Sequence, residues 1–247
     1  MALPKLARRF LPDAATATHL VGAHAAARAL DRAIGSAHLL DLLGSNPGLP
    51  TRADLVTRIC LNDDPDLRIH VRRCSPIYAY CQTRPETPDE TPDETTVMSI
   101  VGDPESRFGR RSELEIGISR TPYASFENLA FGRTLVSTRY CAILAASSGE
   151  SSGDSPEGGD GGNSEIAIEI FDDEFAGLVV VEARLPREDC RPTGVFKRSD
   201  LFAREITNDR RFDWQALARI DIADIAAFLA ETCSKPRSIP APEIRHA

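Results

Sequence analysis

The sequence is poor in the features that usually announce a chemistry. Its 247 residues hold one tryptophan and 6% aromatics. No stretch approaches the roughly 18 uninterrupted apolar residues of a membrane-spanning helix, and runs such as Gly177–Val181 are only strand length. The six cysteines (60, 74, 81, 141, 190 and 233) include no C-x-x-C pair, which leaves neither a zinc module nor a readable disulfide framework. They read as reduced thiols, and the expected location is cytoplasmic. The Ala-rich start, with Lys5, Arg8, Arg9, Arg28 and Arg32, has the cations of a mitochondrial presequence, but Asp13, Asp31 and Asp41 argue against one. There is no G-x-S-x-G, Walker lysine, H-E-x-x-H or EF-hand spacing. The five histidines (19, 24, 38, 70 and 246) have no metal-ligand spacing, and His19 with His24 reads as a pair on a helix surface.

The chain is acidic, with 37 Asp+Glu against 29 Lys+Arg. The excess is local. Gln82–Glu94 repeats Thr-Pro-Asp-Glu and carries five acids with Arg84; Ser147–Ser164 is nearly all Ser, Gly, Asp, Glu and Pro and carries four. Neither can bury apolar surface, so loops at 82–96 and 147–164 are expected to be disordered. The remaining chain holds 28 charges of each sign. The acidic balance therefore says little about partners. At this length roughly 70% of the unfolded surface can be buried, enough for one domain over 1–247 without staples.

Helical spacing of Leu20, Ala27, Leu30, Ile34 and Leu39 predicts helix from Ala14 to Leu43, with Gly44 as the stop. A second helical region starts near Asp213 as N-cap and carries Leu217, Ile220, Ile225, Phe228 and Leu229. Trp214 and Phe212 read as packing between a barrel and this helix. Between them, five segments alternate with period two. Arg68, His70 and Arg72 oppose Leu67, Ile69 and Val71; Arg111, Glu113 and Glu115 oppose Leu114 and Ile116. Ser137 and Arg139 oppose Val136, Thr138 and Tyr140. Glu165 and Glu169 oppose Ile166, Ile168 and Ile170, and Glu182 and Arg184 oppose Val179, Val181 and Leu185.

A sheet with one polar face normally turns that face to water. Here the polar faces are rich in Arg and Glu, and the flanking helices need an apolar bed. A sheet curled into a barrel, with its apolar face outward under helices, would place the ionisable residues in a lumen. Arginine suits bidentate capture of phosphate or carboxylate there.

The segments Lys5-Leu-Ala-Arg-Arg-Phe-Leu-Pro, Leu67-Arg-Ile-His, Arg111-Ser-Glu-Leu-Glu, Ser137-Thr-Arg-Tyr, Ile168-Glu-Ile-Phe, Gly177-Leu-Val-Val-Val-Glu and Arg204-Glu-Ile-Thr-Asn-Asp follow one another in the order of a known motif series. The series resembles that of the CYTH, or triphosphate tunnel, superfamily. The resemblance implies an α+β fold, an antiparallel eight-stranded β-tunnel with flanking helices. It further implies basic side chains gripping a triphosphate and glutamates binding Mg²⁺ or Mn²⁺. Against the family's E-x-E-x-K opening stand Lys5, Ala7 and Arg9. His70 replaces a basic position, Val101 and Ser137 replace lysines, and Arg184 replaces an acid. Arg68, Glu113, Glu115, Arg139, Glu169, Glu182 and Glu205 match. Fewer acids near the metal position argue against efficient triphosphate hydrolysis.

The reading adopted from sequence is a tunnel repurposed for biosynthesis. It resembles the fungal arginine-containing cyclodipeptide synthases, with which Asp172-Asp173-Glu174 is compatible. Such an enzyme would join aminoacyl groups from aminoacyl-tRNA without a cofactor. Its expected catalytic residues are Glu182, Glu169 and His70, and its substrate-binding residues Arg9, Arg68, Arg72, Glu113, Glu115 and Arg139. One alternative is a metal-dependent triphosphatase with Mg²⁺ or Mn²⁺ on Glu182 and Glu169. The other is a non-catalytic polyanion-binding protein. The expected partners are aminoacyl-tRNA or a phosphate-rich small molecule, with neither membrane nor DNA.

Overall fold

The computed structural model describes residues 6–29, 51–64, 67–80, 94–102, 113–118, 123–144, 164–185 and 199–233. Nine strands alternate with short helices: β1 (Leu6–Leu11), α1 (Ala14–Ala29), β2 (Thr51–Cys60), β3 (Leu67–Tyr80), β4 (Thr95–Gly102), β5 (Glu113–Gly117), α2 (Ala124–Glu127), β6 (Leu135–Leu144), β7 (Ser164–Phe171), β8 (Val179–Leu185), β9 (Arg204–Glu205), α3 (Trp214–Arg219) and α4 (Ile222–Cys233). All lie in one sheet in the order β5-β4-β3-β2-β6-β7-β8-β1-β9, and each neighbouring pair is antiparallel.

Period-two alternation is what builds this sheet. In β7 and β8 it turns Ile166, Ile168, Ile170, Val179, Val181, Ala183 and Leu185 to one side, where they pack with Leu20 of α1 and with Phe10 and Leu201. Each isoleucine, valine and leucine among them, fully buried, contributes roughly 1.5–3 kcal/mol relative to exposure. Farther along the same side, Ile59 and Val71 pack with Tyr123, Met98 and Phe126. The helix predicted over 14–43 is formed through Ala29, and its remainder lies outside the described residues. Of the two acidic loops, 82–93 and 147–163 also lie outside them, while Thr95, Thr96 and Ser164 belong to strands. Among the described residues, no helix is long and apolar enough to cross a membrane.

The sheet corrects the expected closure of the tunnel: β5 and β9 are unjoined edges, while the expected eight strands are roughly met by nine among the described residues, one of them only two residues long. β9 is only two residues long, so that edge offers too few backbone groups for a sealing ladder. The sheet is nonetheless strongly curved. Guanidinium carbons of Arg9 on β1 and Arg58 on β2 lie 4.2 Å and 4.1 Å from the ring of Trp214. Their strands are four positions apart, about 19 Å in a flat sheet. The open side is bridged by side chains: Asp213, which follows β9, pairs with Arg68 on β3.

Candidate functional site

Residues directly opposite in an antiparallel ladder share a face, so the registers assign the concave side without ambiguity. Arg9 opposes Glu182, Glu182 opposes Ala167, Glu169 opposes Arg139, and Arg139 opposes Asp54. Arg58 opposes Arg72, His70 opposes Cys60 and Ser99, and Ser99 opposes Glu115. The polar faces expected from β3, β6, β7 and β8 thus form one surface. Its middle is buried, with Arg9, Asp54, Arg58, Arg68, His70, Ser99, Ser137, Arg139 and Glu169 all largely covered. At one end the same face turns apolar, where Leu11, Cys60, Leu135, Phe171 and Val180 pack against Phe212, Leu217 and Ile225 under α3 and α4.

Trp214 marks the boundary between these zones. Its ring meets both arginines and approaches Phe171 at 5.8 Å between centroids. The expected packing role holds, with cation–π contact added on the ionic side. Asp213 occupies the N-cap position of α3 as predicted, but its side chain makes no cap hydrogen bond and instead holds Arg68.

The ionic bed is built from pairs that skip a strand. Arg58 on β2 donates from both terminal nitrogens to Glu169 on β7, the Nη2–Oε2 contact being 3.2 Å. The intervening residue on β6 is Ser137, whose hydroxyl donates to the same carboxylate. Arg139 on β6 reaches Glu182 on β8 at 3.0 Å past Ala167, and Arg184 donates to that carboxylate at 3.0 Å. Small residues on the middle strand make both reaches possible. Burial alone would raise the Glu182 carboxyl, but Arg139 and Arg184 outweigh it and hold the group well below the usual carboxylate range. Glu169 is lowered likewise: Arg58, Arg139 and Ser137 overcome its desolvation. Burial pushes the Cys60 thiol up to about 11 despite Arg58 nearby, so it is no nucleophile at neutral pH.

The structure thus brings together Arg9, Arg68, His70, Arg139, Glu169 and Glu182 of the predicted site residues. Arg72 and Glu115 stand nearer the β5 edge, paired at 3.2 Å, and Glu113 occupies the register position opposite Val101. Two central residues were not anticipated, Arg58 and the carboxylate role of Asp213. Among the described residues, Arg58 is the most deeply buried charged group, at 1% exposure. Its signal was present as Arg52, Asp54, Val56, Arg58 and Cys60 at period two. The expected surface pair of histidines is also corrected. His19 is exposed, whereas His24 is buried on the convex side, with Nδ1 2.8 Å from the Tyr140 hydroxyl and Nε2 3.4 Å from Asp172. Five residues along a helix turn a side chain through about 140°, so the two cannot share a face.

No protein-family model matches the chain, and no curated protein does. Solved structures do. The crystal structure of the inorganic triphosphatase NE1496 is similar over 89% of this chain and 97% of its own, at 16% identity and a TM-score of 0.40. A second crystal structure, of the hypothetical protein NE1496, is similar over 87% of this chain and 97% of its own, at 17% identity and a TM-score of 0.38.

The divalent ion implied by the sequence resemblance can be tested against the side chains. A Mg²⁺ or Mn²⁺ site needs carboxylate oxygens free to coordinate beside the ligand's phosphates. Both oxygens of Glu169 accept from Arg58, and Oε1 of Glu182 accepts from both Arg139 and Arg184. Among the described residues no group of three or more His, Cys, Asp or Glu is placed to hold a metal. The donor set does not fit the ion.

Proposed function

We propose that this chain binds a phosphate-rich small molecule, an oligophosphate, on the concave face of its sheet. The observation that carries the reading is the convergence of Arg9, Arg58, Arg68, Arg72, Arg139 and Arg184, from five strands, on one curved surface. A guanidinium has five donors, and its ion pairs here use only part of them. The Nε groups of Arg58 and Arg72 are buried without a hydrogen-bond partner. A multiply charged phosphate chain matches such a row in charge and in fork geometry.

The biosynthetic reading asks Glu169 and Glu182 to receive an incoming arginine side chain. Arg58 and Arg139 already hold those carboxylates, so a substrate guanidinium would have to displace buried pairs. The comparisons give that reading no support. Triphosphate hydrolysis would use the same ligand and the same arginines, with turnover in addition.

Calorimetric titration with tripolyphosphate tests the proposal, with orthophosphate as control and phosphate release followed in parallel. Binding is expected to weaken steeply with ionic strength. Arg139→Gln should weaken it by roughly tenfold or more, as expected for a lost charged hydrogen bond. Failure of tripolyphosphate to bind at low salt would overturn the reading.

A further inference from the structure

The carboxylates of the concave face raise a question that the arginines alone do not. Each one whose side chain is described is engaged by a guanidinium: Asp54 by Arg52, Glu115 by Arg72, Glu165 by Arg184, Glu169 by Arg58, Glu182 by Arg139 and Asp213 by Arg68. Around Glu169 and Glu182 stand three guanidinium groups, those of Arg58, Arg139 and Arg184, with Arg9 opposite Glu182 in the register. A divalent cation placed there would meet two carboxylates already paired with guanidinium groups, Glu169 through both oxygens and Glu182 through Oε1, and three positive charges around them. Repulsion from Arg58 and Arg139, which are buried, is poorly screened. An anionic ligand meets the opposite situation, because it adds the one charge sign the cluster can still accept.

We propose that the concave face recognises its oligophosphate in metal-free form, with Arg58, Arg139 and Arg184 in the place a divalent ion would otherwise take. The proposal rests on the oligophosphate reading above and deepens it. A metal-complexed phosphate chain carries less negative charge and has some of its oxygens occupied, so it is the poorer ligand for a guanidinium bed. Glu169 and Glu182 are then counter-charges that hold the arginines apart and in place, and the ligand competes with them.

Trp214 provides the probe, since it is the chain's only tryptophan and its ring lies against Arg9 and Arg58. Its emission is followed during titration of the whole chain with tripolyphosphate in EDTA, with tripolyphosphate in excess Mg²⁺, and with Mg²⁺ alone. The expected result is saturable binding in EDTA, at least about tenfold weaker apparent affinity in Mg²⁺, and no response to Mg²⁺ alone. Binding that appears only with Mg²⁺ overturns this proposal and leaves the oligophosphate reading standing. Absence of binding in all arms overturns both. Glu182→Gln gives a second readout of opposite sign under the two views. With no metal, it frees Arg139 and tightens binding in EDTA about threefold or more. A metal-ligand role for Glu182 predicts loss confined to the Mg²⁺ arm. Should that variant fold poorly, Glu115→Gln is the substitute, because Glu115 is exposed and releases Arg72. It is expected to tighten binding in EDTA about twofold, and weaker binding there would count against the proposal.

Discussion

Arg58 and Glu169 form a bidentate ion pair across an intervening strand, passing over Ser137. The pair is buried, so its Coulomb attraction is set against a large desolvation cost, and its net contribution to stability is small. Breaking it is another matter. Glu169→Gln leaves Arg58 charged without its counter-ion and is expected to cost about 3–5 kcal/mol. The double variant Arg58→Met with Glu169→Leu should recover most of that loss. Urea unfolding of the two single variants and the double variant checks this, and a double variant no better than Glu169→Gln would refute it.

The same carboxylates set the acid response. Glu169 and Glu182 have folded-state pKa values below the ordinary 4.5. In the unfolded chain they bind protons at higher pH than in the fold, so their stabilisation is fully present above about pH 4.5 and is lost as pH falls through the folded values. The urea midpoint should therefore decline between about pH 5 and pH 3. Glu182→Gln should make that decline shallower. Parallel acid limbs in the two proteins would show that Glu182 is not held low.

Trp214 joins the apolar roof to the ionic bed, and its removal should be felt in both. Trp214→Phe keeps the aromatic contact with Phe171 but weakens the two cation–π contacts, at a cost of about 1–2 kcal/mol. Trp214→Ala also opens a cavity and should cost about 3–5 kcal/mol. Thermal unfolding followed by far-ultraviolet dichroism distinguishes these steps, and equal losses would mean that the ring's electrostatics add nothing.

Gly132 is required by its backbone. It has φ +83°, and a Cβ there would stand 2.6 Å from the carbonyl oxygen of Ala218 in α3. Gly132→Ala should cost about 1–3 kcal/mol, whereas Gly117→Ala, with open space around its Cβ position, should be near neutral. Denaturation midpoints of the two variants test the contrast.

Much of the sheet was legible from side-chain parity alone. Val179–Leu185 is a strand with the bounds that alternation predicts, and the ionisable faces of β3, β6, β7 and β8 fall on one side as read. β2 was missed although Arg52, Asp54, Val56, Arg58 and Cys60 keep period two; the register shift beside it, between Ala53 and Asp54, falls where β3 carries the extra residue Ile77. The pairing partners were beyond reach for another reason. Arg58 meets Glu169 only because β6 lies between β2 and β7, and that order is a property of the folded sheet. Closure was misjudged at the edges, where a two-residue β9 ends the ladder and Asp213 spans the gap by a side chain. Parity says nothing about either.

The passage of Arg58 over Ser137 makes the two positions a coupled choice. A lysine at 137, as the motif series would have it, would stand in the path of the guanidinium and add a third cation beside Glu169. Divergence at 137 and at 58 is thus expected to be concerted, with bulk at one traded against reach at the other. Relatives of this chain should accordingly sort into two classes, one carrying the long cation on β6 and the other on β2.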